Sequence, residues 1–489
     1  MARLSLMFVG VAALCVVGAR ANSDIDSYIY GMSYSADQVL AYRGDSKTSV
    51  PVEREGKLSP DKSFIVITRE KKTAQNGKAD IGVVTSNEHR SYPGALLLAN
   101  QKLIDNSPDI LAVDRAPLTY TVNLPGLTSE GSFTVQPSFA EYQSAKERTL
   151  KTFFEKHPNQ NVVANFQNDF TFAYSQEYLR VKFGLEFKNT QIETSIDFSA
   201  MQNQEKLIMI HKFKQVFYTV SVEPTKKPSD LFASSVTAAE LMQKTNANNP
   251  PVMVDSVSYG RTIYVKIETS STDNEAKATL ATKVTNFDIK GEVETEIKKK
   301  LKNLSMTVFV VGGSTEQVQL IQAQTFKEVN DILVKYSKFS KDNLGYPISY
   351  SANFIKDNSR AVVQMATDYI ETTRTIHTKG IIKIVHKGWF VMQWAVTWKE
   401  INYDKNGAKI SKEVSWEKNW HDLTAPFDRE IELPGNAEDI HVIAKVATGL
   451  AWEWWRTVID RSGIPLIDKR TFTVWGTTLF SENSISPPV

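Results

Sequence analysis

Side chains that perform acid–base, nucleophilic or metal chemistry are scattered along this sequence rather than grouped. The seven histidines form no pair at metal-ligand spacing; they are His89, His157, His211, His377, His386, His421 and His441. The single cysteine, Cys15, argues against a cysteine zinc site and a disulfide framework. No HExxH, GxSxG, P-loop or GxGxxG motif is present. We therefore expect no enzyme, no metal and no cofactor, and we expect an isolated histidine such as His211 to be structural.

Aromatic chemistry is concentrated in one region, because all nine tryptophans lie between Trp389 and Trp475. This shift in composition predicts a domain boundary near residue 380. Trp452, Trp454 and Trp455 cannot all point inward from one strand, since successive side chains alternate between its two faces. Some of these rings are expected on the surface, where tryptophan is typical of a binding or membrane-interface role.

The elements that carry these residues change along the chain. Ser138 to His157 has the capping serine and the apolar spacing of an amphipathic helix. Gly260 to Ser270 and Ser305 to Gly313 are rich in β-branched and aromatic residues, which predicts strands. From about residue 380 onward, strand-like runs alternate with turns, which predicts an all-β sandwich.

Length and charge restrict the class of protein. The 489 residues predict about three or four domains, and an apolar content of 42% is enough to form real cores. The net charge of +2 does not favour a nucleic-acid partner.

The first 21 residues have the pattern of a secretory signal peptide. Arg3 precedes an apolar run from Leu4 to Gly18, and the sequence Ala-Arg-Ala ending at residue 21 matches a cleavage signal. We therefore predict a secreted mature chain that begins at Asn22. No later run reaches 18 apolar residues, which predicts a soluble exported molecule and leaves later insertion as β-strands open.

Two segments have the length and alternation of paired membrane strands. They are Phe183 to Ile210 and Asp273 to Lys300, each about two crossings long at about 9–11 residues per strand. Their Ala, Glu, Lys and Leu content also favours helix. Two interpretations remain open on the pattern alone: a segment that is helical in water and a hairpin in lipid, or an ordinary surface helix or hairpin.

The stretch Val446 to Arg456, VATGLAWEWWR, closely resembles the undecapeptide ECTGLAWEWWR of the cholesterol-dependent cytolysins at nine of eleven positions. Further stretches, including VSYGRTIYVKIETSS, YPISYSANF and WGTTLF, resemble the same family in the same order. The resemblance covers nearly all of the mature chain.

The resemblance implies an α+β, multidomain, elongated fold with a central twisted antiparallel sheet flanked by helical bundles, plus a C-terminal all-β sandwich. The implied division is 22–175 for the first domain with part of the second, 176–345 mainly for the pore-forming third domain with returns to the first, 346–379 for returns to the first and second, and 380–489 for a membrane-binding sandwich.

The function implied is that of a secreted pore-forming cytolysin. Such a monomer binds cholesterol-rich membranes, joins a ring of identical copies and inserts β-hairpins as one large barrel. Collective insertion agrees with physics, because only a closed barrel pairs every strand in lipid. The receptor motif Tyr-x-Tyr-x14-Arg-Ser of some relatives is not found after residue 380, so we expect cholesterol rather than a protein receptor.

Site residues follow from the resemblance position by position. Thr478 and Leu479 match the pair that recognises cholesterol, and Arg456 matches the arginine that couples membrane binding to the pore-forming domain. The residues expected at the membrane interface are Trp452, Trp454, Trp455, Trp389 and Leu423.

The resemblance also assigns roles in assembly. Gly312 and Gly313 match a hinge that lets a covering strand move away from the sheet edge, and a glycine pair fits such a role. Tyr174 matches one member of an aromatic pair that stacks between neighbouring copies in the family, and Met306 stands at the position of the second, so a weakened form of that contact is expected.

This sequence departs from the family pattern at several positions. Ala447 replaces the usual cysteine, so activity is expected to be independent of thiol reagents, and Val446 replaces a glutamate. Gln176 and Gln324 stand where the family has a Glu/Lys pair. Two alternatives remain: a membrane- or sterol-docking module that forms no pore, and a secreted lipid-active enzyme, which the missing motifs disfavour.

Overall fold

The structure is a computed structural model that describes residues 22–44, 52–79, 81–82, 89–158, 160, 162, 164–188, 190–284, 287, 289, 291–312, 319–335 and 337–489. The predicted signal peptide, residues 1–21, lies outside the described residues.

The described helices are 22–31, Ala36–Val39, Gln101–Ile104, Phe139–Lys156, Gln176–Phe183, Gln191–Thr194, Phe198–Gln202, Ala238–Lys244, Asn274–Lys283, Gly291–Lys300 and Phe326–Lys335, with 3₁₀ turns at Ser129–Gly131, Leu185–Phe187 and Pro228–Leu231. The described strands are β1 (Ala41–Arg43), β2 (Arg54–Leu58), β3 (Phe64–Ala79), β4 (Ile81–Gly82), β5 (Leu96–Leu98), β6 (Leu118–Val122), β7 (Ser132–Val135), β8 (Asn165–Phe172), β9 (Leu207–Val222), β10 (Pro251–Thr269), β11 (Ser305–Gly312), β12 (Gln319–Ala323), β13 (Tyr346–Phe354), β14 (Val363–His377), β15 (Gly380–His386), β16 (Val391–Tyr403), β17 (Lys409–Ser415), β18 (Leu423–Thr424), β19 (Phe427–Leu433), β20 (Ala437–Leu450), β21 (Glu453–Ile464), β22 (Arg470–Gly476) and β23 (Ser481–Ser486).

The described residues form two compact units. The first unit is built from 22–44, Lys72–Thr272 and Ala276–Tyr369; the second is built from 52–71, Asp273–Glu275 and Ile370–Val489. Four strands form a small sheet in the order β1-β14-β3-β2. In this sheet β1 runs parallel to β14, and β2 runs antiparallel to β3. The finer division into four domains stays a prediction.

An antiparallel sheet of order β12-β11-β10-β9-β6-β7 organises the first unit, and β4, β5, β8 and β13 pair alongside it. The long strands β9 and β10 lie at its centre and are buried along most of their length. At Gly260 their backbones come so close that a Cβ would lie 1.8 Å from the Gln215 carbonyl oxygen, so only glycine fits there.

Helices cover this sheet through separate apolar cores. In Phe139–Lys156, the Ser138 side chain caps the first turn, and Tyr142, Leu150 and Phe153 are buried at helical spacing. The helices Asn274–Lys283 and Gly291–Lys300 contribute to a second core with Ile263, Val265 and Ile267 of β10.

The second unit contains a β-sandwich. One sheet has the order β19-β15-β22-β23, the other has the order β17-β16-β20-β21, and β18 pairs with the start of β16. Between them lies a core that includes Trp394, Met392, Ile384 and Phe472, all fully buried. Burial on both inner faces with polar residues outside is the arrangement expected of a sandwich.

These observations confirm the predicted α+β class with a C-terminal β-sandwich. The predicted helix from Ser138 to His157 and the strands near 260–270 and 305–313 are also present, the last ending at Gly312 within the described residues.

Candidate functional site

The strand registers of the sandwich bring four loops to one end. β15 and β22 run parallel and end together, with His386 beside Val474. β16 begins where β20 ends, with Met392 beside Val446, and β18 pairs with the same start of β16. The loops after β15, β18, β20 and β22 therefore share this end of the sandwich. We name them the tip loops: residues 387–390, 425–426, 451–452 and 477–480.

Large apolar side chains project into water at the tip loops and at the start of β21. The exposed fractions are 89% for Trp389, 83% for Trp452, 80% for Phe480, 64% for Trp454 and 49% for Leu479. Exposed aromatic side chains gathered at one end mark an interaction surface, because isolated soluble surfaces seldom carry such patches. We call these five residues the apolar tip.

The other residues predicted for the interface are less exposed. Thr478 and Trp455 are half-buried, and Leu423 packs partly against the sandwich core. The expectation that the three clustered tryptophans do not all point inward is correct. Sequence reasoning missed Phe480 as an exposed residue, although its position directly after Leu479 in a short turn between strands was a usable signal.

Arg456 connects the start of β21 to the tip loop 477–480. Its guanidinium donates to both carboxylate oxygens of Glu453 (2.6 Å at the closest) and, through Nη1, to the backbone carbonyl of Leu479 (3.1 Å). The hydrogen bond from Arg456 lowers the pKa of the Glu453 carboxyl. A planar guanidinium suits this role because it can hold a carboxylate and a carbonyl at once.

The loop 477–480 closes on itself. The amide of Thr477 donates to the carbonyl of Phe480 (3.0 Å), and the amide of Phe480 donates to the hydroxyl of Thr477 (3.3 Å). These bonds hold Thr478 and Leu479 at the turn of the loop, and they leave the side chain of Leu479 half in water.

His386 fixes the loop that carries Trp389. The amide of Gly388 donates to its Nδ1 (3.2 Å), which assigns the proton to Nε2, and Nε2 donates to the carbonyl of Phe390 (2.8 Å). Burial lowers the pKa of the His386 imidazole, so the neutral ring that this network needs is favoured. The amide of Trp389 also donates to the Gly476 carbonyl (3.0 Å), which ties this loop to β22.

The two predicted membrane segments, apart from Asp273–Glu275, belong to the first unit, and their described residues are mostly short helices. Phe183 to Ile210 contains the end of Gln176–Phe183, a 3₁₀ turn and two further helices, and its residues 207–210 already belong to β9. Asp273 to Lys300 contains Asn274–Lys283 and Gly291–Lys300. The first is the connection between the antiparallel neighbours β8 and β9, and the second is the connection between β10 and β11.

Residues assigned to assembly are largely covered in this fold. Gly312 ends β11 with a φ of +82°, a conformation that favours glycine, while Gly313 lies outside the described residues. Met306 is 2% exposed and lies between Ile267 of β10 and Ala323 of β12.

Tyr174 is half-buried in a cluster of aromatic rings. Its ring lies 5.0 Å from those of Tyr178 and Tyr369, with the Lys277 ammonium 5.1 Å from its centre. Tyr174 is partly open to water, whereas Met306 is covered, so a contact of Met306 with a second copy requires β12 to move.

Acidic, histidine and cysteine side chains do not gather into a metal-binding group in the part of the chain that the structure describes. Among those same residues, no helix has both the length and the apolar character needed to cross a membrane.

One chain thus combines a sandwich that ends in an apolar tip with a sheet whose hairpin connections are folded as helices. This combination is typical of a membrane-binding class of protein. The family model for thiol-activated cytolysins matches residues 24–377, and the model for the thiol-activated cytolysin beta sandwich domain matches residues 381–482. The chain belongs to this family, the cholesterol-dependent cytolysins, and is a pore-forming cytolysin.

Individual relatives agree over almost the full length. Tetanolysin of Clostridium tetani is 43% identical over 474 residues, covering 96% of this chain and 89% of tetanolysin. A structure of pneumolysin at 1.98 Å resolution superposes with a TM-score of 0.84 at 37% identity, covering 95% of this chain and 99% of that one. A disulfide-locked mutant of intermedilysin, solved with human CD59, superposes with a TM-score of 0.79 at 32% identity over 96% of this chain and all of that one.

Proposed function

We propose that this protein is exported, docks on cholesterol-containing membranes through the apolar tip, assembles into a ring of identical copies and inserts both helical segments as β-hairpins. The observation that carries the docking step is the apolar tip itself. Five large apolar side chains, 49–89% exposed, lie at one end of the sandwich, and backbone hydrogen bonds fix the loops that carry Trp389 and Phe480. Tryptophan and phenylalanine at such positions settle into the boundary between water and lipid.

Sterol recognition is proposed for Thr478 and Leu479. A hydroxyl beside an exposed apolar side chain suits cholesterol, which has one hydroxyl on a large apolar body. The Leu479 carbonyl is held by Arg456, so the conformation of this turn depends on the Glu453–Arg456 pair. That bond supports a role for Arg456 in transmitting the bound state of the loop to β21. We propose cholesterol as the receptor, and a protein receptor of the kind seen with intermedilysin is not part of this proposal.

Hairpin insertion is supported by the strand registers. β8 and β9 pair up to Phe172 and Met209, and β10 and β11 pair up to Glu268 and Ser305. If each helical connection becomes extended, its two halves continue the antiparallel pairing of the strands that flank it, in a register that those strands already determine. Strands in lipid must pair all their backbone groups, so the extended hairpins require neighbouring copies on both sides.

Opening of the sheet edge is proposed to begin at β12. This short strand covers β11, and the connection between them, residues 313–318, begins directly after Gly312. β11 carries the buried Met306. Removal of β12 exposes the edge of β11 to a second copy, and a Tyr174–Met306 contact between copies is then favourable because sulfur packs well against aromatic rings.

Leakage of dye-loaded vesicles tests the proposal. Mature protein is expected to empty vesicles that contain cholesterol and to leave cholesterol-free vesicles intact. The double variant Thr478→Gly/Leu479→Gly is expected to lose binding while its thermal unfolding is unchanged, because neither side chain belongs to the sandwich core. Equal leakage from both kinds of vesicle, or full binding by the double variant, would remove cholesterol recognition by this turn from the mechanism.

A further inference from the structure

His211 is buried in an apolar core, and the causes of its pKa shift include no charged side chain. It lies on β9 and is 0% exposed, and among the described residues neither ring nitrogen has a hydrogen bond of normal geometry. The polar group that acts on the ring is the backbone of Val284, which is uncharged. Its neighbours on the same face, Met209 and Phe213, are core residues, since alternate residues of a strand share a face. A histidine therefore occupies a position where the surrounding packing is built for an apolar side chain.

Aromatic rings enclose His211 from three elements. The ring of Phe170 on β8 stacks at 5.0 Å, that of Phe213 on β9 stacks at 5.9 Å, and that of Phe287 meets the imidazole edge-on at 4.9 Å. Phe287 lies between Asn274–Lys283 and Gly291–Lys300, is 1% exposed and has a φ of +60°, which residues other than glycine seldom adopt. The segment is thus seated on the sheet partly through a ring placed directly on His211.

The next residue, Lys212, faces the opposite side of β9 and holds the other membrane segment. Its ammonium donates to the Phe183 carbonyl (2.8 Å) and pairs with Glu186. The two successive residues 211 and 212 therefore contact both segments that are proposed to become hairpins, one on each face of the sheet.

Charged groups on the surrounding elements are directed elsewhere. The ionisable side chains on these elements whose partners lie away from His211 include Asp169 with Lys182, Lys277 over the Phe172 ring, Lys283 with Glu296, Glu294 with Lys298, Lys266 with Glu268, Arg261 with Gln215, Lys214 with Ser349, Glu328 with the Gln324 amide, Lys327 with Asp331, and Lys212 with Glu186. Burial lowers the pKa of His211 to about 3, and the backbone of Val284 opposes this by raising the pKa. No carboxylate is among the groups that shift it.

We propose that His211 is an acid-sensitive positioning residue: its protonation in a weakly acidic medium weakens the seating of residues 276–300 on the sheet and favours their release. This inference rests on the proposed function for the identity of that segment as a hairpin. An imidazolium in this core loses its hydration and gains no carboxylate partner, a cost that the surrounding rings do not offset, whereas it is hydrated once the segment has left and water reaches β9.

The sign follows from the two protonation states. The packed state binds the proton only near pH 3, and a released, hydrated imidazole binds it near pH 6.5. The released state therefore takes up more protons as the pH falls through 6.5, and packing is lost in that direction. Between about pH 7.5 and pH 5.5, the ratio of released to packed molecules is expected to rise about tenfold.

Hydrogen exchange of the soluble monomer tests this without a membrane. The measured quantity is the exchange rate of amides in Asn274–Lys283 and Gly291–Lys300 relative to that of Phe139–Lys156, which cancels the chemical effect of pH. In the wild type this ratio is expected to rise about tenfold from about pH 7.5 to pH 5.5. In His211→Leu and His211→Val it is expected to stay constant, and in the matched control His377→Gln, an exposed histidine, it is expected to rise as in the wild type.

The pH profile of vesicle leakage provides the second measurement. Wild type and His377→Gln are expected to lyse cholesterol vesicles faster at the lower pH, and both His211 variants are expected to lose that acceleration. If the wild type lyses vesicles but its exchange ratio does not rise at the lower pH, the role of His211 is overturned and the pore-forming proposal stands. An equal rise of the ratio in the His211 variants overturns the role of His211 as well. Absence of leakage at every pH, with the exchange response intact, overturns the pore-forming proposal and leaves the acid response standing.

Discussion

Replacing Phe480 by alanine removes one of the most exposed side chains of the apolar tip. The ring is 80% exposed, and the turn that presents it is held by the backbone and the Thr477 hydroxyl rather than by the ring. Full burial of a phenylalanine side chain contributes about 1.5–3 kcal/mol. Scaled by the exposed fraction, transfer of this ring into lipid contributes about 1.2–2.4 kcal/mol, so Phe480→Ala is expected to weaken vesicle binding about 8- to 60-fold.

The assay is flotation of the mature protein with cholesterol vesicles, titrated over lipid concentration at a low ratio of protein to vesicle. Ile410→Ala is the matched control, because Ile410 is 50% exposed in the same sandwich, on β17, near the turn at the end opposite the tip loops. Both variants are expected to unfold at the wild-type temperature. Binding of Phe480→Ala within twofold of the wild type, or an equal loss in Ile410→Ala, would refute insertion of this ring.

Two further outcomes are expected. Because Ala447 leaves the mature chain from Asn22 without cysteine, neither maleimide nor reductant should change its lytic rate, and inhibition of protein verified to begin at Asn22 would contradict this. Thr307 and Gln322 are paired across β11 and β12 and share a hydrogen bond (3.1 Å), so cysteines at both positions should form a disulfide that holds β12 in place. The oxidised variant should bind vesicles without lysing them and recover with reductant; lysis while oxidised would show that β12 does not need to move.

The sequence predicts the fold class because its strongest signals are local. The helix from Ser138 to His157 carries its cap and its apolar spacing in consecutive residues, and the structure has both. The concentration of tryptophan after residue 388 likewise indicates the sandwich and the exposure of rings such as Trp452. Alternation within one strand is enough to establish that not all of those rings point inward.

Other features depend on contacts between residues far apart in sequence. The bond from Arg456 to the Leu479 carbonyl and the enclosure of His211 by Phe170 and Phe287 follow from strand registers that no local pattern contains. The expectation that His211 is structural came from its isolation in the sequence. Isolation from other metal ligands does not reveal that the ring lies between β9 and a segment proposed to leave it.

The segment Asp273 to Lys300 shows why its pattern supports two interpretations. Ala276, Leu280 and Val284 are four residues apart, so a helix places them on one face, and all three are buried in the core of the first unit. In a strand the same residues also share one face, because side chains alternate between faces and a spacing of four is an even number. Ala278 then lies on that face with them. Ala278 is exposed on the helix, and a small methyl group is tolerated both in water and in lipid. Spacing by four therefore places the same apolar residues on the buried face of a helix and on one face of a strand. Because only every fourth residue must be apolar, the alternation expected of a strand is incomplete in this segment.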